Sequence, residues 1–164
     1  MLINKVCASG MRAVTLASQL IRAGENELVL AGGMESMSNV PYYDKDTRWG
    51  ARMGNKTLVD GMVHDGLWCA FDNCHMANQG DDMAANREIS RAEMDDWSVR
   101  SQQLWGKAFD RGYFDREVTL VPNKRDTNHV ALARDESPRP NSTAERLGRI
   151  APVWGTKAIT AGID

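Results

Sequence analysis

Asn4-Lys5-Val6-Cys7-Ala8-Ser9-Gly10-Met11 sets a single cysteine where an extended run gives way to a helix. Upstream, Leu2, Ile3 and Val6 have the apolar, β-branched character of a strand end. Downstream, Val14, Ala17 and Ile21, widened by Ala13, Leu16 and Leu20, recur at helical spacing. Cys7 is therefore expected at the N-terminal edge of a helix, where unpaired backbone N–H groups and the macrodipole favour negative charge. The small residues Ala8, Ser9 and Gly10 leave room for a ligand or another backbone close to the sulfur. The position also suits a cysteine acting as a small buried apolar side chain, so position alone leaves both readings open.

Outward from this stretch, composition narrows the function classes. The chain has 164 residues, and 42% of them are apolar, enough to supply a core. A formal charge of -2 gives no basic footprint for nucleic acid or for an acidic membrane surface. No apolar run reaches the ~18 residues that a membrane-spanning helix needs. Cys7, Cys69 and Cys74 form a sparse, odd set of the kind found in a reducing compartment, and a cytoplasmic location is expected, with a mitochondrial or peroxisomal one left open. Cys69 and Cys74 lie near His64 and His75, but without the ligand spacing of a zinc ribbon or finger, so no metal site is expected.

Arg22-Ala23-Gly24 reads as a helix end, and 27–31, with Leu28, Val29, Leu30 and Ala31 in an unbroken apolar run, reads as a short buried strand. Strand, helix and strand together make one βαβ unit, closed by Gly32-Gly33. From Val40 to Pro152 the composition changes and no second βαβ repeat follows, which marks a separate small domain or a long functional excursion. Within it, Ser90-Arg91-Ala92-Glu93 is a capping box that opens a helix with Met94, Trp97, Ser101, Leu104, Trp105 and Ala108 on one stripe. Segments 117–121 and 130–133 are expected to pair as a hairpin around a polar turn over 123–128. Asp135-Glu136-Ser137-Pro138-Arg139-Pro140 is stiffened by its prolines, and 143–150 reads as a short helix carrying Leu147 and Ile150. His75-Met76 combines a switchable hydrogen-bond partner with a soft apolar wall, which serves a core as well as a pocket. Asn141-Ser142-Thr143 fits the glycosylation pattern, discounted for a protein of a reducing compartment.

The opening stretch, followed by Val29-Leu30-Ala31-Gly32-Gly33-Met34-Glu35-Ser36-Met37-Ser38, closely resembles the thiolases, acyl-CoA C-acyltransferases that include acetyl-CoA acetyltransferase and 3-ketoacyl-CoA thiolase. Leu58-Val59-Asp60-Gly61-Met62-Val63-His64-Asp65-Gly66-Leu67, Ala70-Phe71 and His75-Met76 continue the likeness. The resemblance implies an α/β fold, part of the layered αβαβα thiolase architecture with an α+β loop domain. It divides the chain into a portion of the N-terminal catalytic domain at 1–39, a CoA-binding loop domain at 40–152 and a truncated return strand at 153–164. It implies Cys7 as the acyl-carrying nucleophile, His75 and Met76 along the pantetheine and acyl end of the tunnel, and Arg139 at the adenine and phosphate end of CoA. It further implies acyl-CoA and CoA as substrates with no separate cofactor, no nucleic-acid or membrane partner, and a homodimer or homotetramer. Two departures stand against an active piece. Ile163 stands where the family places an asparagine after Thr160-Ala161-Gly162, and the family's activating histidine and second cysteine belong to a C-terminal half that has no match here. The expectation is an acetyl-CoA acetyltransferase seen as an incomplete, inactive piece. The alternative is a non-catalytic thiolase remnant that binds CoA or a protein partner.

Overall fold

Helix α1, Ser9–Arg22, is entered through one turn of 3₁₀ helix at Val6–Ala8. It ends as its sequence dictates. Gly24 takes φ +75°, its N–H donates to the Ile21 carbonyl, and the Glu25 N–H donates to the Leu20 carbonyl, the paired bonds of a Schellman cap. The computed structural model describes residues 1–122 and 130–163, which form two compact units, Met1–Asn73 and Cys74 onward.

In the first unit the two strands expected on either side of α1 do not form. Leu28 is 89% and Leu30 100% exposed, and neither 2–6 nor 27–31 belongs to a ladder among the described residues. The physical reason is the nature of a strand: an apolar run becomes one only when a neighbouring strand takes its N–H and carbonyl groups. The pairing that does occur is short. Strand β1, Tyr42–Tyr43, lies antiparallel to β2, Val59–Asp60, with Tyr42 opposite Asp60. Gly61 closes this pair by donating to the Pro41 carbonyl at 3.1 Å, and a Cβ at Gly61 would stand 2.5 Å from that same oxygen, so the close approach requires glycine. Met62–Leu67 then winds as a π-helix, started by the Asp60 carboxylate accepting from the Met62 N–H, and leads into β3, Trp68–Cys69.

The second unit begins with β4, Cys74–His75, and α2, Met76–Asn86. Helix α3, Arg91–Asp110, opens on the expected capping box. The Glu93 N–H bonds to the Ser90 hydroxyl, and the Glu93 carboxylate accepts from the Ser90 N–H at 2.8 Å. Its buried face differs from the expected stripe. Met94, Asp95, Ser98 and Gly106 are buried, while Trp97 is 68% exposed and has the Arg100 guanidinium over its ring. Small residues define the inner face because other chain segments lie directly on it. A Cβ at Gly106 would fall 2.5 Å from the Pro140 Cβ, and α4, Ala144–Gly148, lies against the same helix. Arg91 ties the pair together: Nε donates to Asp95 Oδ2 at 2.8 Å while the guanidinium bonds the Leu147 and Ile150 carbonyls at the end of α4. Strands β5, Val121–Pro122, and β6, Val130–Leu132, form the expected hairpin in shorter form, and its turn over 123–128 lies outside the described residues. The closing segment pairs by a single antiparallel bridge, Pro152 with Thr160, rather than as a strand.

Candidate active site

Cys7 lies one residue before the α1 N-cap, Ala8, and is exposed, with no hydrogen-bond partner for its sulfur among the described residues. The turn that presents it is built locally. Asn4 Oδ1 accepts from the Val6 N–H at 2.9 Å, and the Ser9 hydroxyl accepts from the Lys5 N–H at 2.8 Å and donates to the Val6 carbonyl at 2.7 Å. Between these clamps Val6 is held at φ +51°, a left-handed conformation that a β-branched residue rarely takes. Among the described residues of the first unit no histidine serves the sulfur: both ring nitrogens of His64 are engaged, by Lys45 and by Asp65.

His75 is the buried polar centre of the second unit, 6% exposed, and caps α2 by accepting the Ala77 N–H on Nδ1 at 3.1 Å. An accepting Nδ1 places the neutral ring's proton on Nε2, and Nε2 is buried without a partner among the described residues. Such an orphaned donor is costly unless something comes to meet it. The ring also stacks on Trp154, centroids 4.2 Å apart and planes 11° from parallel. Trp154 was not legible as a site residue. It is brought to His75 by a loop with two successive left-handed residues, Trp154 at φ +53° and Gly155 at φ +72°, whose geometry α2 fixes. Asn78 Nδ2 donates to the Trp154 carbonyl at 3.2 Å, and the Asp81 carboxylate accepts the Lys157 and Ala158 N–H groups at 2.9 and 2.8 Å. Those backbone bonds, the one from Lys157 foremost, hold the Asp81 carboxyl below its usual range. The sole sequence signal was the Trp-Gly pair between Pro152 and the Thr160 segment.

Met76 is the first residue of α2 and stays about half exposed beside this stack. Arg139 is elsewhere in the same unit. Its backbone N–H donates to Gln102 Oε1 at 2.6 Å and its carbonyl accepts from Ser142, which anchors the proline-flanked segment on α3 and leaves the guanidinium unpaired among the described residues. Leu132, Ala133, Arg134, Asp135, Glu136 and Pro138 line an open groove of about 330 Å³ immediately before it. The structure thus joins His75, Met76 and Trp154, places Arg139 separately, and sets Cys7 in the other unit. No cluster of three or more His, Cys, Asp or Glu side chains able to hold a metal occurs among the described residues.

Comparison with known proteins assigns the family. Residues 1–163 match the thiolase N-terminal domain, and the chain belongs to the thiolase family. It is 40% identical over 161 residues to a probable acetyl-CoA acetyltransferase of Escherichia coli, a match covering 98% of this chain and 41% of that protein. It is 41% identical over 162 residues to a probable acetyl-CoA acyltransferase of Staphylococcus epidermidis, with the same coverage. Among solved structures, the acetyl-CoA acetyltransferase of Bacillus anthracis superposes with a TM-score of 0.88 at 34% identity, over 98% of this chain and 41% of that one. Human mitochondrial 3-ketoacyl-CoA thiolase in complex with CoA superposes with a TM-score of 0.86 at 34% identity, over 96% and 39%. The α/β thiolase-like fold expected from sequence is therefore the observed one, and the chain spans about two-fifths of the length of these relatives.

Proposed function

We propose that this chain supplies the nucleophile-bearing part of an acetyl-CoA C-acyltransferase. In a protein of the relatives' full length, Cys7 Sγ attacks the ketone carbon of a 3-ketoacyl-CoA. A C–S bond forms as the C2–C3 bond breaks, and the departing acetyl-CoA carbanion takes a proton. The thiol of a second CoA then attacks the acyl thioester, releasing acyl-CoA and restoring the Cys7 thiol. The observation that carries this reading is the exposed Cys7, presented by a strained, side-chain-clamped turn at the start of α1. His75 contributes a buried Nε2 donor to the ligand, Met76 and Trp154 give it apolar walls, and Arg139 provides a free guanidinium for phosphate. Assembly as a homodimer or homotetramer and a cytoplasmic location accompany this reading. The test is mass spectrometry of the full-length protein after acetoacetyl-CoA. One acetyl group is expected on the peptide carrying Cys7, with Cys7→Ala losing it and lowering turnover by roughly 10³-fold or more. Full turnover in Cys7→Ala overturns the proposal.

A second reading is favoured by the lack of any base bonded to Cys7 among the described residues: the 164-residue chain by itself binds CoA without turning it over. Calorimetric titration with CoA tests it. Saturable binding weakened by Arg139→Ala, with no acylation of Cys7, is the expected result, and thiolysis by the short chain at the rate of an intact thiolase excludes it.

A further inference from the structure

Away from Cys7 and His75, the first unit carries a linear array of four polar side chains. Lys45 Nζ lies 2.6 Å from His64 Nε2, His64 Nδ1 lies 2.6 Å from Asp65 Oδ1, and the Tyr43 hydroxyl donates to Asp65 Oδ2 at 2.6 Å. The Tyr43 ring also meets the His64 ring edge-on at 6.2 Å. Because Nδ1 faces a carboxylate it carries the imidazole proton, and Nε2 is left with its lone pair aimed at the lysine nitrogen. The polarity is that of a nucleophile, a base and an orienting acid in sequence, the arrangement by which such groups are recognised on unrelated folds. Asp65 is fixed as the ionised member, its carboxyl held below the usual range first by the Tyr43 hydroxyl and then by His64. His64 and Asp65 both sit on the Met62–Leu67 π-helix, a distortion that is frequent at functional sites and here aims the imidazole toward Lys45. Lys45, His64 and Asp65 are all exposed, so a dissolved reagent reaches the amine.

We propose that Lys45 is a self-acylating lysine that takes acyl groups from thioesters with His64 as its base. The Lys45 ammonium first gives up one proton to solvent through His64 Nε2, and the resulting amine attacks the thioester carbonyl, forming a C–N bond. The proton on the new ammonium passes to His64 Nε2, while Asp65 stabilises the imidazolium that results. Collapse of the tetrahedral intermediate breaks the C–S bond, and the departing thiolate recovers the proton from His64. The products are an Nε-acyl-lysine and a free thiol, with no oxidant or further reactant required.

The test treats the full chain with a small acetyl thioester, S-acetyl-N-acetylcysteamine, which lacks the nucleotide, and measures acetylation rates at each lysine by peptide mass spectrometry. Lys45 is expected to react at least ~10-fold faster than Lys56 and Lys107, a modest part of what a positioned base can contribute. His64→Gln is expected to remove that preference while leaving Lys56 and Lys107 at their original rates and the circular-dichroism spectrum and urea unfolding curve unchanged, which verifies an intact fold, and Cys7→Ala is expected to leave Lys45 labelling unchanged. Labelling of Lys45 at the rate of the other lysines overturns the proposal, as does an undiminished rate in His64→Gln. Loss of the label in Cys7→Ala overturns it too, because the acyl group would then arrive by way of Cys7.

Discussion

Around Cys7 the shaping hydrogen bonds join residues two, three and four positions apart, whereas around Trp154, the stacking partner of His75, they tie α2 to residues 76 and 77 positions away. The first unit therefore holds its cysteine by short-range chemistry over a thin core, with Ala17 its buried apolar side chain among the described residues. The second unit holds its histidine by tertiary structure, with Ala84, Met94 and Leu147 buried beneath. Local devices can present a cysteine without much of a fold. A buried donor such as His75 Nε2 exists only after distant segments have met.

The largest expected effect separates the two units by their cores. Leu147→Ala should cost about 2–5 kcal/mol in urea unfolding of the second unit, whereas Val14→Ala on the exposed face of α1 should stay within about 0.5 kcal/mol. Equal losses would erase the contrast. Next, Gly106→Ala forces a methyl group against Pro140 and should cost about 1–3 kcal/mol, read as a lower melting temperature together with weakened attachment of the Arg139 segment.

Asp81 sharpens the comparison through pH. Its folded carboxyl is held below its ordinary value, so its contribution is fully present above about pH 4 and fades as pH falls through the depressed value, where the unfolded chain binds the proton more readily. Asp81→Asn should lower stability at neutral pH by about 1 kcal/mol and flatten that acid limb in unfolding titrations. An unchanged acid limb would mean that α2 holds the Trp154 loop by other means. The smallest effect belongs to the local side. Val6→Gly should change stability by no more than about 0.5 kcal/mol, because relief of the left-handed strain offsets the greater freedom of unfolded glycine. A loss as large as that of Leu147→Ala would show that tertiary contacts pin the Cys7 turn after all.

The same division explains what could be read in the sequence. Gly24 as a helix terminator, the Ser90–Glu93 capping box and the helix start after Cys7 were legible because each rests on a few consecutive residues. Segments 2–6 and 27–31 were not, since their apolar runs describe what a strand would bury and say nothing of whether a neighbour is present to pair with them. The inner face of α3 was misplaced by favouring Trp97 and Leu104 over Ser98 and Gly106. Periodicity weighs side-chain size, but Pro140 and α4 sought the places with least side chain. Trp154 and the Lys45–His64–Asp65 array join residues brought together by folding, and their spacing in sequence carries no mark of it.

The stacking of Trp154 on His75 has an optical consequence. An indole lying flat on an imidazole at 4.2 Å emits under the control of that ring, so any group that engages Nε2 and tilts it will alter the indole's fluorescence. Against a Trp154→Phe background, the difference emission isolates this one reporter from the other four tryptophans of the chain. The stack thus carries its own built-in signal, readable without label or turnover.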